Sequence, residues 1–184
     1  MTENSESGSW FYSPPVGPSL SAATLDDVLH SLHQDDEYWS TEAPATADDY
    51  CRENWAKLIY SDIDHKAIIN AEVYYIENSL FTIGVRSPKF TQFPPELNEE
   101  ERQELPFEWL FAYPFQGENW SDNLCVSRQG NRFCYPKAIC VNRELLATII
   151  GELYETLTLS NKFNWITELD FARRYQRWFY TPGD

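Results

Sequence analysis

The sequence predicts a single α+β domain, in which a central antiparallel sheet of two hairpins is flanked by helices and preceded by an irregular N-terminal arm. Segments rich in β-branched and aromatic residues lie together in the middle of the chain, with periodic apolar segments on both sides. Strands do not alternate with helices as a parallel sheet would require. A chain of 184 residues with 42% hydrophobic content can build one core, so we assign residues 1–20 to the arm and 21–184 to the domain.

The N-terminal arm has the composition of an irregular segment. It contains serines, glycines and three prolines around the aromatic residues Trp10, Phe11 and Tyr12. Proline and glycine interrupt regular structure, whereas three adjacent rings favour contact with another surface. We therefore expect residues 1–20 to lack regular structure and to dock on the domain or on a neighbouring chain.

Two Thr-x-x-Asp patterns predict the starts of helices in the first third of the chain. The pattern at Thr24 is a possible capping box and predicts a helix to His33, with Leu, Val and Leu side chains on one face. A short acidic connector is expected next. The pattern at Thr46 is followed by aromatic and aliphatic residues at near-helical spacing, which predicts a second helix to Tyr60.

The middle of the chain is predicted to form β-strands. Residues 67–76 and 80–86 are rich in β-branched and aromatic residues and are separated by a Glu-Asn-Ser turn, so they predict a hairpin. A short acidic helix is expected from Asn98, and a further strand over 109–115. The buried face of the second hairpin strand should consist of Phe81, Ile83 and Val85.

A second hairpin is predicted over residues 124–128 and 131–141. If Gln129 and Gly130 form a two-residue loop, facing residues have numbers that sum to 259. Cys125 then lies opposite Cys134 in a non-hydrogen-bonded pair. The pairing would bring the two sulfur atoms close enough to oxidise to each other outside the cell.

The C-terminal part predicts two helices. Asn142 is a suitable N-cap for a helix with six periodic aliphatic residues, the clearest core helix in the sequence. The last helix begins near Thr167, carries a broad aromatic face, and ends at Pro182-Gly183. Three arginines near its end are Arg173, Arg174 and Arg177. They either complement the helix dipole or receive an acidic segment.

Charge is distributed unevenly along the chain. The first 51 residues contain no lysine or arginine but hold ten of the 29 acidic residues, and the net charge is −15. This balance disfavours direct binding to nucleic acid or to anionic membranes and favours a basic protein partner. The 16% aromatic content distinguishes the chain from disordered acidic tails.

We expect the protein to be cytoplasmic, or nuclear, because the sequence offers neither a signal peptide nor an apolar run long enough to span a membrane. In these compartments Cys51, Cys125, Cys134 and Cys140 should be reduced. Their spacing lacks the C-x2-C pairs of structural zinc sites, so we interpret them as small buried residues.

The sequence contains only weak signals for catalytic or metal-binding sites. His30 and His33 are spaced to hold a cation together but lack a third fixed ligand. Asp62, Asp64 and His65 could bind magnesium or act in acid–base chemistry, or simply form a polar turn. Nucleotide-binding and hydrolase motifs are absent from the sequence, and we expect no metal and no cofactor.

These observations favour a non-enzymatic acidic protein-binding module that engages a basic partner, as inhibitors, immunity proteins and nucleic-acid mimics do. One alternative is an adaptor or assembly subunit that docks through aromatic surfaces, and another is a small carboxylate-dependent enzyme. The residues expected to contact the partner are Asp26, Asp27, Asp35, Asp36, Glu37, Trp39, Asp48, Asp49, Arg173, Arg174 and Arg177.

Overall fold

The computed structural model describes residues 8–40, 55–64, 66–90, 109–113, 120, 122–128 and 131–170. The strands in this part are β1 (Ser9–Ser13), β2 (Leu20–Ser21), β3 (Trp55–Ser61), β4 (Ala67–Glu77), β5 (Leu80–Arg86), β6 (Leu110–Tyr113), β7 (Asn123–Arg128), β8 (Asn131–Pro136), β9 (Val141–Asn142) and β10 (Asn164–Thr167). The helices are α1 (Leu25–Leu32), α2 (Asp36–Ser40) and α3 (Arg143–Thr156), with a 3₁₀ turn at Lys137–Ile139.

A large antiparallel sheet organises the fold. Its strand order is β10-β6-β5-β4-β3-β1-β2, and β9 pairs with β5 through Phe81 and Val141. Strand residues outnumber helical residues in the described part. The predicted α+β class with an antiparallel sheet is therefore confirmed at this level.

The first strand shows that the N-terminal arm is not irregular throughout. In β1, Trp10 and Tyr12 alternate inward and are 5% and 1% exposed, while the strand backbone pairs with β3. The prolines lie in the connection between β1 and β2, where no ladder hydrogen bond is required of them. The prediction of irregular structure was wrong over residues 9–13, because pairing with a distant strand cannot be read from local composition.

The predicted helix over residues 46–60 is also wrong in its described portion, because Trp55–Ser61 form β3. Ala56 and Leu58 are buried at a period of two, while β1 and β4 pair with the strand on either side. Aromatic and aliphatic residues suit a pleated surface, and tertiary pairing overrides the near-helical spacing. Residues 46–54 lie outside the described part.

The first helix and the first hairpin are confirmed. Thr24 caps α1 through a reciprocal capping box with Asp27. Strands β4 and β5 pair antiparallel from Asn70 and Arg86 to the turn between Glu77 and Leu80. The predicted face of β5 is fully buried and consists of Phe81, Ile83 and Val85.

The main core lies between one face of the sheet and the helices. Helix α3 begins at the predicted cap, where Asn142 accepts from the Leu145 amide at 2.9 Å. Helices α1 and α3 share a buried cluster with the sheet. Its helical members are Val28, Leu32, Trp39, Leu146, Ile149, Ile150 and Leu153, and its strand members include Val73, Phe81, Ile83 and Val85.

The second hairpin forms with the predicted register but does not join the central sheet. Each pair of β7 and β8 sums to 259, from Asn123 with Pro136 to Arg128 with Asn131. In the described residues this hairpin is a separate two-stranded sheet. Its inner side packs on a second core at the opposite face of the large sheet, formed by Ile76, Phe111, Tyr135, Ile139, Cys140 and Ile166.

Several predictions concern segments beyond the described residues. The acidic helix from Asn98 is among them, as is the last helix after its first turn at residues 168–170. Strand β6 at Leu110–Tyr113 lies within the range predicted as 109–115.

Candidate functional site

The surface formed by α1, α2 and their junction carries five acidic side chains and, within residues 25–40, no lysine or arginine. We call it the acidic surface and define it by Asp26, Asp27, Asp35, Asp36 and Glu37. Four of these side chains are exposed and Asp36 is half-buried. The five acidic positions between residues 26 and 37 that the sequence predicted as contacts therefore lie on α1, on α2 and in the turn between them.

Two of the carboxylates have local structural roles as well. Asp27 accepts from the Thr24 amide at 2.7 Å and from the Thr24 hydroxyl at 2.6 Å. These hydrogen bonds lower the pKa of Asp27 because they stabilise its charged form. Asp35 caps the next helix by accepting from the Tyr38 amide at 2.9 Å. Both residues therefore fix backbone geometry while their charges face solvent.

Arg143 anchors the acidic surface to the rest of the fold. Its guanidinium donates to the Leu32 carbonyl at 2.8 Å, to the Gln34 carbonyl, and to Asp36 Oδ1 at 2.9 Å. Asp36 Oδ1 also accepts from the Ser79 hydroxyl at 2.8 Å. One side chain at the start of α3 thus satisfies the carbonyls at the end of α1 and holds the start of α2 against the β4–β5 turn.

A hydroxyl chain, formed by the side chains of Tyr12, Ser31 and Tyr38, holds α1 and α2 together on their buried side. Tyr12 donates to Ser31 Oγ at 2.7 Å, and Tyr38 donates to the Val16 carbonyl at 3.1 Å. Ser31 and Tyr38 hydroxyls are 3.2 Å apart. Because Tyr38 uses its one proton on Val16, Ser31 is the donor in that pair. Burial raises the pKa of Tyr12 well above its usual value, so the Tyr12 hydroxyl keeps the proton that it donates to Ser31.

Trp39 does not belong to the candidate contact surface. It is 0% exposed, packs edge-on against Phe81 with ring centroids 5.1 Å apart, and donates from Nε1 to the Ser31 carbonyl at 3.2 Å. The prediction that Trp39 contacts a partner is corrected, because α2 turns its ring into the main core. An aromatic residue beside carboxylates in sequence cannot be told from a core residue without the helix orientation.

The other predicted contact residues fall beyond the described part of the chain. They are Asp48, Asp49, Arg173, Arg174 and Arg177.

The histidines of α1 are exposed and engaged locally. His33 Nδ1 lies 2.7 Å from the Leu29 carbonyl, and His30 Nε2 lies 3.2 Å from Gln34 Nε2. Within the described residues no group of three or more His, Cys, Asp or Glu side chains is arranged to hold a metal ion.

Asp62 organises the turn between β3 and β4. Its Oδ1 accepts from the backbone amides of Asp64 and Lys66 at 3.0 and 2.9 Å. These hydrogen bonds favour the interpretation of the Asp-x-Asp pattern as a polar turn, because an aspartate side chain stabilises a turn by accepting from nearby backbone amides. His65 lies outside the described residues.

A polar and aromatic row on the opposite face of the sheet was not predicted. The charged groups of Lys57 and Glu72 are 4.0 Å apart, and the Tyr74 hydroxyl donates to the Glu72 carboxylate. The Tyr74 ring stacks on the rings of both Trp55 and Tyr135. These residues alternate in sequence with core residues. The period of two could have placed them on a common face once the register of β3 and β4 was known.

Two cysteines form a disulfide, in contrast to the expected reduced state. Cys125 and Cys134 face each other across β7 and β8 with Cα atoms 4.0 Å apart. The short separation is that of a non-hydrogen-bonded pair, as the register predicted. Cys140 is a buried free thiol, and burial raises its pKa to about 12.

None of the helices in the described residues is long and apolar enough to cross a membrane.

Comparison with protein-family models gave no match, and comparison with curated proteins gave no significant match.

Proposed function

We propose that this chain is a non-enzymatic protein-binding module whose acidic surface engages a basic partner, as an inhibitor or immunity protein that mimics nucleic acid would do. The observation that carries the proposal is the rigid display of Asp26, Asp27, Asp35 and Glu37 on a segment free of lysine and arginine. Its carboxylates would form ion pairs with the basic side chains that the partner uses to bind phosphate groups.

Rigidity supports this proposal as much as charge does. Arg143, the hydroxyl chain and the two caps hold the backbone of the acidic surface at several points. A preorganised surface loses little conformational entropy on binding, so its electrostatic attraction is better converted into affinity. A solubilising charge cluster has no need of such anchoring.

Charge complementarity also gives the expected kinetic behaviour. A protein of net charge −15 attracts a basic partner over about a Debye length, which is about 10 Å at 0.1 M salt. Association should therefore be fast at low salt and slow markedly at high salt. The same charge opposes direct contact with nucleic acid or anionic lipid, and we place the partner among cytoplasmic or nuclear proteins.

Two of the three arm rings are buried within the domain, whereas the aromatic last helix of the adaptor alternative lies mostly outside the described residues. Trp10 stacks on Tyr154 with centroids 5.3 Å apart, and Tyr12 is 1% exposed. These rings stabilise the domain itself and are not free to anchor a neighbouring chain.

Affinity capture with the full-length chain tests the proposal. The tagged protein is incubated with nuclease-treated lysate, eluted in steps of rising salt, and its partners are identified by mass spectrometry. We expect a basic protein to elute at moderate salt. Retention of an acidic or neutral partner through high salt would instead support an assembly subunit, and the absence of any specific partner would count against a binding module.

A further inference from the structure

The hairpin of β7 and β8 presents two chemically different sides. Leu124 and Tyr135 face each other on the side that packs into the second core. Successive strand residues point to opposite sides, so the adjacent pair of Cys125 and Cys134 lies on the side directed away from this core. Both cysteines are half-buried rather than buried, which leaves the disulfide within reach of a small reagent.

The hairpin is attached differently from the strands of the large sheet. In the described residues it shares no strand pairing with that sheet, and its attachments include the stacking of Tyr135 on Tyr74 and the bond from the Lys137 amide to the Asp122 carbonyl at 2.8 Å. A two-stranded hairpin is only marginally stable alone. A covalent link between its strands therefore has a large effect on whether it stays ordered.

Cys140 belongs to the second core, the same buried cluster that contains Tyr135 of the hairpin and against which Leu124 packs. The residue is 8% exposed in the second core, beside Tyr135, and its thiol donates to the Pro136 carbonyl at 3.7 Å. Burial raises its pKa to about 12, so little of the thiolate that reacts with electrophiles is present at neutral pH. Removing the hairpin would expose this thiol and restore its ordinary reactivity.

We propose that Cys125 and Cys134 form a site of reversible thiol–disulfide exchange with a dithiol reductant, and that reduction releases the hairpin from the second core. A thiolate of the dithiol attacks one cysteine sulfur, breaks the S–S bond and forms a mixed disulfide. The second thiol of the reagent then displaces the protein sulfur and closes its own disulfide. Two electrons and two protons pass to the protein, which leaves Cys125 and Cys134 as thiols.

The register makes the step reversible and specific. On reoxidation, re-formed pairing places Cys125 and Cys134 opposite each other again. Cys140 is protected within the second core as soon as the hairpin closes, so it does not compete for the new disulfide. The proposed site is independent of the acidic surface.

Differential alkylation of the full-length chain tests this proposal. The oxidised protein is treated with dithiothreitol without denaturant, pulsed with iodoacetamide, and analysed by peptide mass spectrometry, so that each cysteine, Cys51 included, is measured on its own peptide. We expect Cys125 and Cys134 to become labelled and the labelling rate of Cys140 to rise at least tenfold. Reoxidation with oxidised glutathione should return the Cys140 rate to its starting value.

A double variant supplies the matched control. Cys125→Ser with Cys134→Ser should give rapid labelling of Cys140 with or without dithiothreitol. If this variant does not fold, as judged by far-UV circular dichroism, the wild-type experiment still decides the matter because it needs no substitution. The proposal is overturned if the disulfide resists native reduction, if Cys140 labelling does not change after reduction, or if reduction unfolds the whole protein.

Discussion

Arg143 and Asp36 are 107 residues apart in the sequence, yet Arg143 Nη2 lies 2.9 Å from Asp36 Oδ1. The Arg143 side chain is 15% exposed and also donates to carbonyls at the end of α1. The pair therefore joins the start of the core helix α3 to the acidic surface, and the position of that surface depends on a residue remote from it in sequence.

Replacing Arg143 with methionine should lower the free energy of unfolding by about 2 kcal/mol, because partly buried carbonyls and a carboxylate lose charge-assisted hydrogen bonds. Urea denaturation measures this loss, and hydrogen exchange should show faster exchange in residues 25–40. Lys162→Met is the control, because Lys162 is 63% exposed and its pair with Glu152 lies at the surface, where ion pairs contribute little to stability. Equal losses in the two variants would refute the anchoring role.

The capping box should give α1 a defined pH dependence. Hydrogen bonds from Thr24 lower the pKa of Asp27 in the folded state. The ionised Asp27 carboxylate therefore stabilises the folded state fully at pH values above its pKa in the unfolded chain. This stabilisation is lost as the pH falls through the lower pKa of Asp27 in the folded state. The melting temperature of Asp27→Ala should lie below that of wild type at pH 7, and the difference should shrink below about pH 4. Asp26→Ala, in the same turn but outside the capping box, is the control variant.

The buried hydroxyl chain should appear in a double-mutant cycle. Ser31→Ala leaves the Tyr12 hydroxyl, on a residue 1% exposed, without its acceptor and should cost about 1–3 kcal/mol. Adding Tyr12→Phe removes the unsatisfied group, so the double variant should be more stable than the sum of the two single effects implies. Strict additivity in urea denaturation would show that the hydroxyls do not interact.

Two glycines should respond to alanine in opposite directions. A Cβ atom at Gly84 would lie 3.1 Å from ring atoms of both Phe111 and Trp109, so Gly84→Ala should destabilise the protein by about 1–3 kcal/mol. Gly151 lies within α3 with no atom within 4 Å of its added Cβ, so Gly151→Ala should stabilise the protein by about 0.5–1 kcal/mol. Stabilisation by Gly84→Ala would contradict this packing at the second core, and destabilisation by Gly151→Ala would contradict the open space beside α3.

The elements predicted correctly are those specified by neighbouring residues. The caps at Thr24 and Asn142 and the two-residue loop of the second hairpin are local signals, and the loop alone fixed the pairing of Cys125 with Cys134. Strands β1 and β3 were missed because each is stabilised by a partner distant in the chain, which overrides local composition and spacing.

The candidate site was predictable in its charges but not in its supports. Acidic side chains near the first helix could be identified from composition. The inward orientation of Trp39 and the anchoring by Arg143 depend on how α2 and α3 pack, for which the sequence offers no local pattern.

The acidic surface, rather than the overall negative charge of the protein, should bind the basic partner. Parallel capture with three baits tests it: wild type, the acidic-surface variant Asp26→Asn/Asp35→Asn/Glu37→Gln, and the control Asp64→Asn/Glu155→Gln/Asp170→Asn. Both variants lose three exposed charges, and Asn at position 35 retains a capping side chain. We predict about tenfold weaker recovery of the basic partner with the acidic-surface variant and near wild-type recovery with the control. Equal recovery with both variants would contradict the account.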